Sequence, residues 1–310
     1  MGEILCIIDG MADKGFQVED YPHLRSLPLR KKVKTVPDNA QPESLTCILT
    51  LLGYQNIPQH LRGYADALGA GIPVQKDDLV LRASWVMLDN EHRVQGYTQA
   101  PSNYFPGEGF TYHCLGAYKG LLVLPNMADC LDSLTTYPPH KFLGAPLASI
   151  LPTGMEALWC VVENSCHSGR CLIPWGQSRL STLPVFPKRA AIITGTNVVR
   201  GIARMTGMDI MEVPGTTGDT DTNLTAKVKA AIQAACTYPF VLLHINGADE
   251  AAHRRNPTEK RAFLHEVDSI LMPSLLESNH KLVIVSDHAT DPNSGLHGGG
   301  MQEAYVKNAF

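Results

Sequence analysis

Asp287 and His288 stand side by side where the apolar run KLVIVS ends, and two metal-binding residue types in that place raise a question of chemistry. The same residue types recur elsewhere. Asp9 follows ILCII, Asp249 and His253 follow FVLLHING, and His297 lies in GLHGGG. Ser44 opens the apolar stretch SLTCILTLLGY. Carboxylates, imidazoles and a serine oxygen together could ligate two divalent ions, and a pair of ions about 3.5–4 Å apart can clamp the attacking and leaving oxygens of an in-line phosphoryl transfer. Singly, each residue has a plainer reading. Asp9 before glycine fits a turn, Ser44 fits a helix N-cap, and Asp249 with His253 fits a solvated helix start.

The elements around these residues decide between the two readings. Ile4–Ile8, Ala190–Ile193, Phe240–Ile245 and the run before Asp287 are short continuous apolar segments, the pattern of strands buried on both faces of a parallel sheet. Helical stretches are expected over Ser44–Tyr54, with Ser44 as N-cap, and over Asn197–Thr206 before Gly207. Others are expected from about Asn223 to Ala235 and in one piece over Pro257–Leu276. Alternating strands and helices predict an α/β fold with a mostly parallel sheet flanked by helices. Ligands of such sheets bind beyond the carboxyl ends of the strands, where Asp9, Asp249, His253, Asp287 and His288 all fall. The loop carrying His297 could fold back to the same place. The middle of the chain, rich in Pro, Gly and Tyr with short β-like runs, reads as a smaller α+β insert. The expected boundaries are residues 1–75 and 186–310 for the core and 76–185 for the inserted cap.

With 44% hydrophobic and 18% charged residues the chain can bury a core, and its net charge of −4 argues against a nucleic-acid or anionic-membrane binder. A small anionic metabolite remains compatible, since its site needs only local positive charge. The opening MGEILCIIDG lacks the features of a signal peptide, and no apolar run reaches membrane-spanning length, so a cytoplasmic protein is expected. The eight cysteines are expected to be reduced and mostly buried.

Several segments in order resemble the cofactor-independent phosphoglycerate mutases of archaeal type, within the alkaline phosphatase superfamily. They include LCIIDGMAD, YPHLRSL, PESLTCILTLLGY, RGYADALGAG, GDTDTNLTAKVKAAI and ADEAAHRRNPTEKRAFLHEVD. The resemblance implies an alkaline-phosphatase-like fold and two divalent ions, Mn²⁺, Zn²⁺ or Mg²⁺. Asp9, Ser44, Asp287 and His288 would hold one ion, and Asp249, His253 and His297 the other. It implies that Ser44 is the catalytic nucleophile. The phosphoryl group would rest on it as phosphoserine, so that 3-phosphoglycerate and 2-phosphoglycerate interconvert without a bisphosphoglycerate cofactor. Arg62 and Arg82 match arginines of the family and are the expected substrate-binding residues, with Arg170 and Arg179 as weaker candidates. The chain departs from the family pattern at Leu45 and Ile48, where polar residues are expected, at Ser84 in place of asparagine, and at Pro174 and Trp175 where an arginine is expected. Those departures leave two alternatives open, a metal-dependent phosphatase or phosphodiesterase of the same superfamily and a catalytically silent relative acting as a binding protein.

Overall fold

The computed structural model describes residues 2–38, 40–101 and 103–307. The chain divides into two compact units, residues 1–57 with 183–310, and residues 58–182. In chain order the first unit begins with β1 (Glu3–Ile8), a short α1 (Pro22–Arg25), β2 (Leu29–Lys34) and α2 (Ser44–Leu51). The second unit contains α3 (Arg62–Ala70), β3 (Leu79–Leu88), β4 (Val94–Tyr97), β5 (Thr111–Gly116), β6 (Lys119–Leu124), α4 (Glu156–Ser165) and β7 (Arg170–Ser178). The chain then returns through β8 (Ala190–Ile193), α5 (Asn197–Thr206), β9 (Asp209–Ile210), α6 (Leu224–Ala235), β10 (Phe240–Ile245) and α7 (Gly247–His253). It closes with α8 (Pro257–Glu266), α9 (Met272–Glu277), β11 (Lys281–Val285), β12 (Ala289–Thr290), β13 (His297–Gly298) and β14 (Met301–Lys307).

The first unit is built on a seven-stranded sheet in the order β2-β14-β11-β1-β10-β8-β9. Its centre is parallel, with β1 between β10 and β11, whereas β14 runs antiparallel to β11 and to β2. Ile4, Cys6 and Ile8 alternate onto one face with Ile193, Leu243 and Ile284, under apolar residues of α6 and α8 such as Val228, Phe263 and Leu264. Leu5 and Ile7, on the opposite face, are also buried, which is why β1 reads as an unbroken apolar run. The edge strand β2 carries Arg30, Lys31, Lys32 and Lys34, charges that oppose pairing with another sheet.

Two helices differ from expectation. Ser44 is the first residue of α2 and Glu43 is the N-cap, so the serine hydroxyl is not used to cap the helix. The helix expected as one piece after Pro257 is interrupted between α8 and α9 by a π-helical turn over Val267–Leu271. Pro273 accounts for it, because proline has no N–H to give and its ring crowds the carbonyl one turn earlier.

The second unit holds a five-stranded sheet in which β3 pairs antiparallel with β4, β6 and β7, and β6 with β5. Leu79, Leu81, Trp85, Leu122, Leu172 and Leu158 form its core. This unit begins at Pro58 and not near 76. The cause is α3, which packs on this sheet. The Gly63 amide donates to Ser178 Oγ at 2.8 Å, and a Cβ at Gly63 would lie 2.8 Å from the Val80 carbonyl oxygen. The cysteines also depart from expectation. Cys166 and Cys171 form a disulfide, and Cys114, Cys160 and Cys236 are exposed. The tight turn between α4 and β7, closed by the His167–Arg170 bridge, brings the two half-cystine Cα atoms to 4.3 Å. Among the described residues no helix is long and apolar enough to cross a membrane.

Candidate metal centre

All seven residues singled out in the first unit's sequence converge at the carboxyl ends of three adjacent parallel strands. In the β1–β11 register Ile7 pairs with Val285, and two residues further along each strand this sets Asp9 level with Asp287. On the other side Ile8 pairs with Ile245, and α7 starts two residues later. Asp249 and His253 are four apart on α7 and so share a face. The β12–β13 pair puts His297 directly opposite Thr290 and thereby folds the GLHGGG loop back onto the site.

The first ligand set gathers around His288. Its Nε2 lies 3.2 Å from Ser44 Oγ, 3.4 Å from Asp287 Oδ2 and 3.5 Å from Asp9 Oδ1. In the second set His253 Nε2 lies 3.2 Å from Asp249 Oδ2 and 3.0 Å from His297 Nε2, and His297 Nε2 lies 3.5 Å from Asp249 Oδ1. Ligand atoms about 2.0–2.2 Å from a shared ion stand about 3.0–3.6 Å from one another, so both sets are spaced for a cation. Asp9, Asp249 and His288 also offer atoms within 4.8 Å of one another, which makes the two sets contiguous.

In the first set the hydrogen bonds leave one oxygen of each carboxylate for that use. Asp9 Oδ2 accepts from His244 Nε2 at 3.1 Å, while Asp9 Oδ1 is buried with no hydrogen-bond partner among the described residues. Asp287 Oδ1 accepts from the amides of Gly10 at 3.3 Å and His288 at 2.8 Å, and its Oδ2 is likewise buried and unpartnered. Two orphaned carboxylate oxygens facing one imidazole are costly in a dry interior unless a cation joins them. Gly10 lets the strand end this close to α7. Its φ is +64°, and a Cβ there would sit 2.8 Å from Asp249 Cα.

Electrostatics give the same picture. Burial, followed by the Asp287 and Asp249 charges, pushes the Asp9 carboxyl well above its ordinary range. Burial and then the Asp249 charge push Asp287 up to about 7. Burial also raises Asp249, but His253 and His297 more than offset this and hold it well below the carboxylate range. Burial and the neighbouring His297 keep His288 neutral, the form in which imidazole ligates. His244 is also neutral, pushed down to about 3 by burial and then by the Lys227 charge. It therefore donates from Nε2 to Asp9 and accepts the Thr194 hydroxyl at Nδ1, 3.1 Å away.

His244 and Thr290 escaped sequence reading because their neighbours along the chain say nothing of what they orient. His244 is an inward residue of an apolar strand, and Thr290 follows the Asp-His pair in an ordinary-looking turn. Leu45 and Ile48 are buried among the apolar residues of α2.

Arg62 and Arg82 belong to the second unit, and neither stands alone. Arg62 Nε and Arg82 Nη1 both donate to Asp66 Oδ2, at 3.0 and 2.5 Å, and both guanidinium groups lie over the Trp175 ring. Trp175 Nε1 donates to Ser84 Oγ at 3.0 Å, so two of the departures from the family pattern contact each other. Arg170 and Arg179 are exposed.

The chain is similar to several known proteins. The model of the metalloenzyme superfamily matches residues 4–299. A 2,3-bisphosphoglycerate-independent phosphoglycerate mutase of Methanococcus aeolicus is 26% identical, over 94% of this chain and 84% of its own length. Two solved structures share the fold. A Pyrococcus horikoshii protein gives a TM-score of 0.69 at 21% identity, covering 98% of this chain and 87% of its own. The cofactor-independent phosphoglycerate mutase of Thermoplasma acidophilum gives 0.53 at 17% identity, covering 99% and 90%. With a family match that runs over residues 4–299 and so through both units, the chain belongs to the metalloenzyme superfamily.

Proposed function

We propose that this protein is a two-metal phosphoryl-transfer enzyme that interconverts 3-phosphoglycerate and 2-phosphoglycerate through a phosphoserine at Ser44. The observation that carries the reading is the place of Ser44 Oγ, 3.2 Å from the Nε2 on which Asp9 and Asp287 also converge. The relatives named as phosphoglycerate mutases support the choice of substrate. Divalent ions held by the two ligand sets would lower the serine hydroxyl's pKa and offset charge on the transferring group.

The chain's own residues account for the rest. Ser44 opens α2, and the free amides and dipole at a helix N-terminus favour an anionic phosphoryl group there. Ser44 Oγ attacks phosphorus, the bond to the substrate oxygen breaks, and that oxygen leaves with a proton. The neighbouring hydroxyl of the bound glycerate then takes the phosphoryl group from Ser44, which recovers its proton. No bisphosphoglycerate is needed, because the protein itself carries the group between the two steps. We assign Arg62 and Arg82 to the substrate's anionic groups.

One observation favours a second reading. Arg62 and Arg82 share Asp66, which lowers the net positive charge they offer to a phosphorylated acid. A phosphoserine resolved by water would make the protein a phosphatase. Purified protein loaded with Mn²⁺ and given 3-phosphoglycerate, followed by phosphorus NMR, distinguishes the two. Appearance of 2-phosphoglycerate is expected, whereas free phosphate without isomer means the phosphatase. Ser44→Ala is expected to abolish turnover and the acid-stable phosphoenzyme, and turnover that survives it refutes the nucleophile.

A further inference from the structure

Thr290 lies between the two ligand sets and belongs to neither. Its hydroxyl donates to Asp249 Oδ1 at 2.7 Å, and its oxygen lies 3.1 Å from His288 Nδ1. A hydroxyl has one proton, and here it points to a carboxylate, so the contact with His288 must be a hydrogen bond donated by Nδ1–H. That bond selects the His288 tautomer with its proton on Nδ1 and its lone pair on Nε2, the nitrogen facing Ser44, Asp9 and Asp287. The same hydroxyl orients the Asp249 carboxylate, whose oxygens face His253 and His297.

Thr290 is itself firmly held. It is fully buried, its amide donates to the Ala12 carbonyl at 2.9 Å, and its carbonyl accepts from Lys260 Nζ at 2.7 Å. Lys260 is in turn tied to Asp13 at 2.6 Å. The Thr290 backbone pairs with His297 across the β12–β13 ribbon, so a ligand of the second set stands on the same small element.

We propose that Thr290 is a positioning residue that couples the two metal sites, by fixing the tautomer of His288 in one and the orientation of Asp249 in the other. The proposal rests on the reading of these seven residues as metal ligands. Outer hydrogen-bond partners of ligands typically change metal affinity by about 10–100-fold. The test compares wild type, Thr290→Val and Thr290→Ser by calorimetric titration of metal-free protein with Mn²⁺. Valine keeps the branched shape without the hydroxyl, and serine keeps the hydroxyl without the methyl.

Thr290→Val is expected to weaken both sites by about 10–100-fold, and Thr290→Ser to stay within a few-fold of wild type. Long-range proton–nitrogen spectra of the metal-free proteins are expected to show His288 protonated at Nδ1 in wild type and Thr290→Ser, and a tautomer mixture in Thr290→Val. If valine does not fold, Thr290→Ala takes its place. Weakening confined to one site, or one tautomer in all three proteins, overturns the coupling. A wild type that binds no Mn²⁺ overturns the metal reading instead, and the tautomer spectra then still decide whether Thr290 orients His288.

Discussion

Replacing Asp287 by asparagine is expected to stabilise the metal-free protein and to destabilise the metal-loaded one. In the metal-free state Asp9 and Asp287 are both fully buried, and burial raises the cost of ionising either carboxyl. The Asp287 carboxyl lies at about 7 in the folded chain against an ordinary 3.8. Because the folded value is the higher one, the protonated form favours folding. The contribution is fully present below about pH 4 and is lost as pH rises through about 7. The difference corresponds to about 4 kcal/mol as a ceiling, since water entry and local relaxation reduce it.

Asparagine removes the charge and keeps an oxygen for the Gly10 and His288 amides, while its NH₂ can face the orphaned Asp9 Oδ1. After exhaustive chelation, the variant is expected to melt above wild type at pH 8, by up to on the order of 10 °C, and together with it at pH 4. Adding Mn²⁺ is expected to reverse the order at pH 8. Wild type should gain about 2.7 kcal/mol at a metal concentration of 100 times Kd, and the variant far less. Thermal unfolding at both pH values, with and without metal, measures all four cases. A metal-free variant that melts below wild type at pH 8 would show that Asp287 is held by ordinary hydrogen bonds and not poised for a cation.

Other changes probe the supports of the site. His244→Leu removes the donor to Asp9 Oδ2 and is expected to weaken Mn²⁺ binding at the Asp9 set by about 10–100-fold, leaving the Asp249 set nearly unchanged in the same titration. Gly10→Ala places a Cβ against Asp249 at a backbone φ of +64°, so calorimetry is expected to show loss of affinity at the Asp249 set together with a lower melting temperature. Lys227 is fully buried, its Nζ lacks a partner among the described residues, and burial lowers its ammonium to about 8. Its folded value lies below the ordinary 10.5, so stability is expected to rise between about pH 8 and pH 10.5 as the charge is lost. Lys227→Met should raise the melting temperature at pH 7 and flatten that rise.

Local pattern was enough to place many elements. The unbroken apolar runs at β1, β8, β10 and β11 announce strands buried on both faces. Gly207, in the left-handed conformation, ends α5 as expected, and Asn223 caps α6 with its side chain. The elements misjudged were those decided by distant contacts. α3 carries no local mark of the unit it joins, and it goes with the second unit because Gly63 permits close approach to β3 and β7. The Cys166–Cys171 disulfide depends on a turn whose closure pairs His167 with Arg170 across four residues of unremarkable sequence.

Residue chemistry by itself placed carboxylates and imidazoles at the ends of buried strands and pointed to metal chemistry, while the resemblance of several ordered segments pointed to the family. Only the tertiary structure decided how they meet. Strand order sets β1 between β10 and β11, and the parallel register puts Asp9 level with Asp287. Hydrogen bonds then commit one oxygen of each carboxylate to the protein and leave the other facing His288. Packing also joins Arg82 to Asp66, which Arg62 reaches from the same helix, and brings Thr290 between the two sets. Sheet order, register and the direction of a lone pair arise from contacts between residues hundreds of positions apart, and no local periodicity carries them.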